Sequence, residues 1–269
     1  MMTKFDVKRM ANDIITRTGF KGNTAIVLGS GLGDFAENFD NPTVVPYASV
    51  NGYPKPTVEG HAGEFVFGDL NGIPVMVAKG RFHYYEGYPL SVVTLPIHLF
   101  SELGIKYLII TNAAGSMKKE FPPGDLMLIT RHMDCTFREK MADPKWIDRP
   151  PYYQPEVLQA VRNASEKSGV KIVEGGYCWT QGPAYETPDE IHYYLSIKGT
   201  AVGMSTVPEI ETAGDTGIHV VGISCLTNYA AGITDQPLTH HEVMETADRV
   251  KSDFAELIKE IITQFGAWK

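Results

Sequence analysis

The chain has 269 residues, 24 Lys and Arg against 32 Asp and Glu, a formal net charge of −8 and 43% hydrophobic residues. That is ordinary globular composition, and it excludes disordered and fibrous classes. With no run of Lys or Arg, the acidic balance argues against nucleic acid and anionic lipid as partners, while a small anionic substrate held by local donors stays open.

No stretch reaches the ~18 consecutive apolar residues of a membrane span, and Met1-Met2-Thr3-Lys4-Phe5-Asp6 carries no apolar signal core. The expectation is a cytoplasmic protein with no membrane partner. Cys135, Cys178 and Cys225 are odd in number and far apart, which supports neither a disulfide framework nor a thiolate zinc site.

In chain order, a strand over 24–28 runs into the turn Gly29-Ser30-Gly31-Leu32-Gly33, and strands follow at 64–67 and 74–78. A helix is predicted over 91–103, closed by Gly104 and bent at Pro96. Strands at 107–111 and 126–130 precede a proline-rich excursion over 143–155. Then come a helix over 155–168 closed by Gly169, a strand over 171–178, and a helix opened by the capping box Thr187-Pro188-Asp189-Glu190. The last strand, 219–226, leads to a second capping box, Thr239-His240-His241-Glu242. Beyond it Val243, Ala247, Val250, Phe254, Leu257, Ile261 and Phe265 form one apolar stripe. Runs such as Leu108-Ile109-Ile110 are apolar on consecutive positions, the pattern of strands covered on both faces. The reading is an α/β fold around a central sheet, one domain over 1–269.

Several segments carry chemistry. The turn after the first strand exposes backbone N–H groups to an anion such as phosphate; its alternative is a plain tight turn. It is not the dinucleotide fingerprint, because Asp34 stands where the third glycine belongs, and no Gly-Lys-Ser/Thr follows. Gly80-Arg81-Phe82-His83-Tyr84-Tyr85-Glu86-Gly87 packs guanidinium, imidazole, phenol and carboxylate together, and a period of two would put Arg81, His83 and Tyr85 on one side. A solvated edge is the plainer alternative. His61, between glycines in a loop, reads by itself as structural or exposed.

Thr111-Asn112-Ala113-Ala114-Gly115-Ser116, Gly203-Met204-Ser205-Thr206 and Leu226-Thr227-Asn228-Tyr229 are strand exits, where open α/β sheets bind ligands. Glu186, beside Tyr185 and just before a helix, is expected to be an ionised acceptor favoured by the helix amides, or else a surface charge on the dipole. His240, in the first turn of the last helix, is expected to stay neutral for the same reason. His241-Glu242-Val243-Met244-Glu245 lacks the second histidine of a zinc protease and there is no GxSxG elbow, so metal catalysis has no support.

Taken together, Gly29 to Gly33, Gly80 to Gly87, Thr111 to Gly115, Gly182 to Glu186, Gly203 to Glu209 and Thr227-Asn228 resemble, in order and over nearly the whole chain, the trimeric purine nucleoside phosphorylases. The resemblance implies an α/β domain whose large mixed sheet forms a distorted barrel flanked by helices, and a homotrimer. It implies phosphorolysis of inosine and guanosine, or their deoxy forms, in purine salvage, with inorganic phosphate as co-substrate and no cofactor. Carried over residue by residue, Ser30, His61, Arg81, His83, the amide of Ala113 and Ser205 would hold phosphate. Tyr85, Met204 and His240 would contact ribose, His240 at the 5′-hydroxyl. Glu186 and Asn228 would read the base, with Tyr185 as a wall; catalysis would rest on Asn228, His83 and Glu186. Family trimers borrow an aromatic from a neighbour to cover the sugar, and Asp148-Arg149-Pro150-Pro151-Tyr152-Tyr153 departs from that pattern. Two alternatives are a methylthioadenosine phosphorylase, disfavoured because that family has aspartate where Asn228 stands, and a non-catalytic nucleoside-binding protein, disfavoured because Arg81, His83 and Ser205 are all present.

Overall fold

The computed structural model describes residues 5–57, 62–138, 144–235 and 240–268, with the side chains at 240 and 241 left out. The strands are β1 (Thr24–Leu28), β2 (Asp40–Pro46), β3 (Glu64–Leu70), β4 (Ile73–Lys79), β5 (Tyr107–Ser116), β6 (Leu126–Asp134), β7 (Ile172–Trp179), β8 (Ala201–Gly203) and β9 (His219–Tyr229). The helices are α1 (Val7–Thr18), α2 (Leu90–Val93), α3 (Leu95–Glu102), α4 (Pro155–Ser168), α5 (Pro188–Ser196), α6 (Val207–Asp215) and α7 (His240–Gly266). All seven predicted strands are present. β5, β6 and β9 run several residues beyond their apolar cores, through the polar residues at their exits.

The strands form one mixed sheet in the order β2-β3-β4-β1-β5-β8-β7-β6-β9, and β9 also pairs with β5. That last pairing closes β5, β8, β7, β6 and β9 into a barrel and leaves β1, β4, β3 and β2 as an open arm. Both faces are covered, as consecutive apolar runs require. Ala25 and Val27 enter one apolar cluster with Met76, Ala78, Leu108 and Ile110, while Ile26 and Leu28 enter the other with Val75, Val77 and Ile109. The α7 stripe from Ala247 to Phe265 lies in the second cluster beside Val157, Val161 and Ala164 of α4. Each fully buried Ile, Leu or Phe there contributes about 1.5–3 kcal/mol.

Local signals behave as read where the chain decides alone. Gly169 caps α4 in the left-handed region, and Thr187 and Glu190 form the expected reciprocal capping box. The predicted helix over 91–103 is not bent but broken, into α2 and α3 at Thr94. Pro96 has no N–H for the bond a continuous helix needs there, so it sits in the first turn of a new helix. The edge strand β2 carries two prolines and is almost wholly exposed, so it shows no alternation to read. The capping box expected at Thr239 lies outside the described residues.

Candidate active site

β1, β4, β5 and β9 are mutually parallel, so their carboxyl ends open on one rim. β8 pairs antiparallel with the end of β5, Val202 opposite Gly115, and so leads Gly203, Met204 and Ser205 back along β5. There a cavity of about 220 Å³ is lined by Ser30, Arg81, His83, Tyr85, Ala113, Tyr185, Glu186, Met204, Ser205 and Asn228, together with Asn112, Thr227 and a few small or apolar neighbours. Every predicted site residue with a described side chain is therefore in one cavity. His61 lies outside the described residues, and so does the side chain of His240.

At one end stands Arg81, which is 1% exposed. Its Nη1 donates to the Thr111 carbonyl at 2.7 Å and to Ser205 Oγ at 3.2 Å, and its Nε lies 3.3 Å from Glu209 Oε2. Nη2 is buried with no hydrogen-bond partner among the described residues, so the guanidinium that borders the cavity keeps an unmatched donor. The turn at Ser30 comes close to β5, since a Cβ on Gly29 would sit 2.7 Å from Asn112 Cα; only glycine fits there.

Ser205 is aimed by a strained turn. Thr206 has φ 79° and ψ −46°, and the Val207 N–H bonds the Ser205 carbonyl at 2.9 Å, which makes Thr206 the centre of a γ-turn. A β-branched residue at positive φ costs about 1–3 kcal/mol. Its hydroxyl, bonded by Asn112 Nδ2 at 2.9 Å and lying 3.1 Å from Ser205 Oγ, ties the turn to β5.

Arg81, His83 and Tyr85 do line one side, but not through strand alternation. β4 stops at Lys79, and His83 begins a one-turn 3-10 helix in which Glu86 Oε1 accepts from the His83 backbone N–H at 2.6 Å and lies 3.1 Å from its Nδ1. Against its burial, the bonds from His83 and Thr57 pull the Glu86 carboxyl down to about 2. An ionised carboxylate only accepts, so Nδ1 carries a proton and the ring is held. The Tyr85 ring stacks on it, centroids 4.7 Å apart. Burial, and then the Glu86 charge, push the Tyr85 phenol up to about 12, so it stays a donor at neutral pH.

At the other end Thr227 is the extra residue of a bulge between β5 and β9, and it re-aims Asn228 into the cavity. The Asn228 amide is oriented from both sides: Oδ1 accepts from Thr227 Oγ1 at 3.1 Å and Nδ2 donates to the Tyr229 carbonyl at 2.9 Å. Gly182 packs between Met204 and Tyr85, where a Cβ would come within 2.5 Å of the Met204 sulfur. Glu186 accepts from Thr180 Oγ1 at 2.6 Å.

The electrostatics of Glu186 differ from the sequence expectation. Burial raises its carboxyl above the usual range in spite of the Thr180 bond. The Thr187 amide at the start of α5 is bonded by Glu190, not by Glu186. A pKa raised on folding gives stability that is present below the unfolded pKa and lost as pH rises through the folded one. Glu186→Gln is therefore expected to raise the melting temperature at neutral pH and to leave it nearly unchanged below pH of about 4, where the carboxyl is protonated in both states. Calorimetry at the two pH values checks this, and an equal difference at both would refute it.

The Phosphorylase superfamily profile matches residues 23–263. Purine nucleoside phosphorylase 1 of Geobacillus stearothermophilus is 44% identical over 88% of this chain and 89% of its own. The chain belongs to the purine nucleoside phosphorylases. Among solved structures, the Schistosoma mansoni purine nucleoside phosphorylase in complex with inosine is 30% identical, with a TM-score of 0.84 over 95% of each chain. The same enzyme in complex with adenosine gives a TM-score of 0.82 at 30% identity, over 94% of this chain and 96% of that one.

Within this phosphorylase, sequence reasoning left Asn112, Thr206, Glu86 and Glu209 without roles. Thr206-Val207-Pro208-Glu209 has capping-box spacing. Yet Thr206 makes no side-chain cap, and Glu209 is fully buried against Arg81. Tyr152, from the departing proline-rich segment, donates to Asp215 Oδ1 at 2.9 Å and is not among the residues lining this cavity.

Proposed function

We propose that this chain, acting as one domain over 1–269 and as a homotrimer in the cytoplasm, carries out the reversible phosphorolysis of 6-oxopurine nucleosides in purine salvage. Inosine and guanosine, or their deoxy forms, give free base and (deoxy)ribose 1-phosphate, with orthophosphate as co-substrate and no cofactor. One observation carries the reading: a single cavity is lined by a buried guanidinium that keeps an unmatched donor, by two serine hydroxyls, and by the amide of Asn228 and the carboxylate of Glu186.

Glycosidic cleavage builds positive charge on the sugar and negative charge on the leaving purine. Phosphate held by Arg81, Ser30, Ser205, His83, His61 and the Ala113 amide lies beneath the ring, stabilises the cationic carbon, and then attacks it. Tyr85, Met204 and His240 position the ribose. Asn228 hydrogen-bonds N7 and the 6-oxo group as charge develops on the base. Glu186, walled by Tyr185, accepts from N1–H and from a 2-amino group.

A relative of the same fold has been crystallised with adenosine; in this reading the base preference of this chain rests on the pair Glu186 and Asn228. Against adenosine, unprotonated N1 would meet a carboxylate and the 6-amino group would meet the Asn228 Nδ2 donor, each mispairing costing about 1–3 kcal/mol. Asn228 also sets aside methylthioadenosine phosphorolysis. The deciding assay follows inosine with and without phosphate. Hypoxanthine and ribose 1-phosphate are expected in equal amounts and only with phosphate; hydrolysis without it would overturn the mechanism.

A further inference from the structure

We propose that Glu209 is a positioning residue for phosphate that acts through Arg81: by offsetting the guanidinium charge it keeps the anion exchangeable. The inference rests on the phosphate reading given above.

Four observations carry it. The two side chains are 2% and 1% exposed and face each other at 3.3 Å, so water screens the pair very little. Neither Glu209 oxygen has a hydrogen-bond partner among the described residues, which leaves Arg81 as the ionic partner of that carboxylate. Nη1 is anchored separately by Thr111 and Ser205 on two other elements, so the guanidinium does not depend on Glu209 alone for its place. Finally, the strained γ-turn at Thr206 is what starts α6 directly after Ser205 and brings Glu209 inward instead of out to solvent.

A buried charge pair with unsatisfied oxygens is poor stabilisation, and a strained turn adds to its cost. A fold that carries both beside an anion site gains something there. With Glu209 in place, Arg81 offers directional N–H donors without a surplus positive charge. Phosphate is then oriented by hydrogen bonds and released readily, and the sugar phosphate formed from it leaves by the same means. Removing the carboxylate charge would turn the site into a tighter anion trap.

The test titrates inorganic phosphate calorimetrically into wild type, Glu209→Gln and Glu209→Asp, with steady-state kinetics on each. Glutamine keeps the size of glutamate but carries no charge, so the phosphate Kd and the phosphate KM are expected to fall about tenfold, kcat to fall, and the inosine KM to stay unchanged. Phosphate should also raise the melting temperature of Glu209→Gln more than that of wild type. Glu209→Asp, whose carboxylate is drawn back by one methylene, should fall between the two. A residue that was merely structural would leave phosphate binding unchanged or weaken it, and either result in a cooperatively melting Glu209→Gln overturns the proposal. Should that variant not fold, Glu209→Asp decides by the same criterion. If wild type itself neither binds phosphate nor requires it, the phosphate reading fails; if wild type binds it and the variants bind no tighter, only the role of Glu209 fails.

Discussion

Arg81→Ala is expected to lower kcat/KM for phosphate by about a hundredfold or more, the usual consequence of removing a preorganised donor from developing charge in a dry site. The inosine KM should change far less, because Arg81 lies at the opposite end of the cavity from Glu186 and Asn228. Folding is the complication, since the truncation leaves Glu209 as a buried charge without its partner, a loss of about 3–5 kcal/mol. The double variant Arg81→Ala, Glu209→Gln removes both charges. It should recover most of the melting temperature without recovering phosphate use, and that split separates the two roles of the arginine. Phosphate saturation curves and calorimetry on wild type and both variants are the measurements. A phosphate KM equal to that of wild type in the folded double variant would show that the anion binds elsewhere.

Asn228→Asp is expected to move the preference from 6-oxo to 6-aminopurines, by about tenfold to a hundredfold in the ratio of kcat/KM for adenosine to that for inosine. The physical reason is the exchange of an amide donor for an acceptor at the position facing the 6-substituent. Thr227, which donates to Oδ1 at 3.1 Å, can donate to a carboxylate as well, so the aspartate should keep the orientation of the asparagine. The bond from Nδ2 to the Tyr229 carbonyl is lost, and an acceptor is left facing that carbonyl. Some loss of kcat on both substrates is therefore part of the expectation. Glu186 would still oppose unprotonated N1, but burial raises its carboxyl, so a larger protonated fraction becomes available as the pH falls. Protonated, it donates to N1, and adenosine turnover by Asn228→Asp should rise relative to inosine turnover toward acid pH. Initial rates on both nucleosides across the pH range test this; an unchanged ratio removes Asn228 from base recognition.

Much of the site was legible in the sequence because its parts are local. Ser30, Arg81, Ala113, Ser205 and Asn228 all lie at or just beyond the ends of apolar strands, in runs too polar or too glycine-rich for a core. Parallel strands place such ends on a common rim, so convergence could be expected before any coordinates. What was misread depended on neighbours far away in the chain. Glu186 looked like a charge favoured by helix amides, yet Glu190 takes that amide and burial dominates. Glu209 drew no reading of its own from the sequence and is the counter-ion of a residue 128 positions earlier (209 − 81). Arg81, His83 and Tyr85 share a side through a 3-10 turn braced by Glu86, a geometry with no periodic signature.

Sequence by itself determined seven of the nine described strands, the caps at Gly169 and Thr187, and the set of polar strand exits, since these follow from propensity, periodicity and backbone sterics within a few residues; it marked none of β2, β8, α1 and α6. Tertiary structure decided the closure of β9 onto β5, the γ-turn at Thr206, the bulge that turns Asn228 inward and the charge balance around Arg81. Those depend on desolvation and on partners supplied by distant segments, and neither quantity exists until the chain has folded.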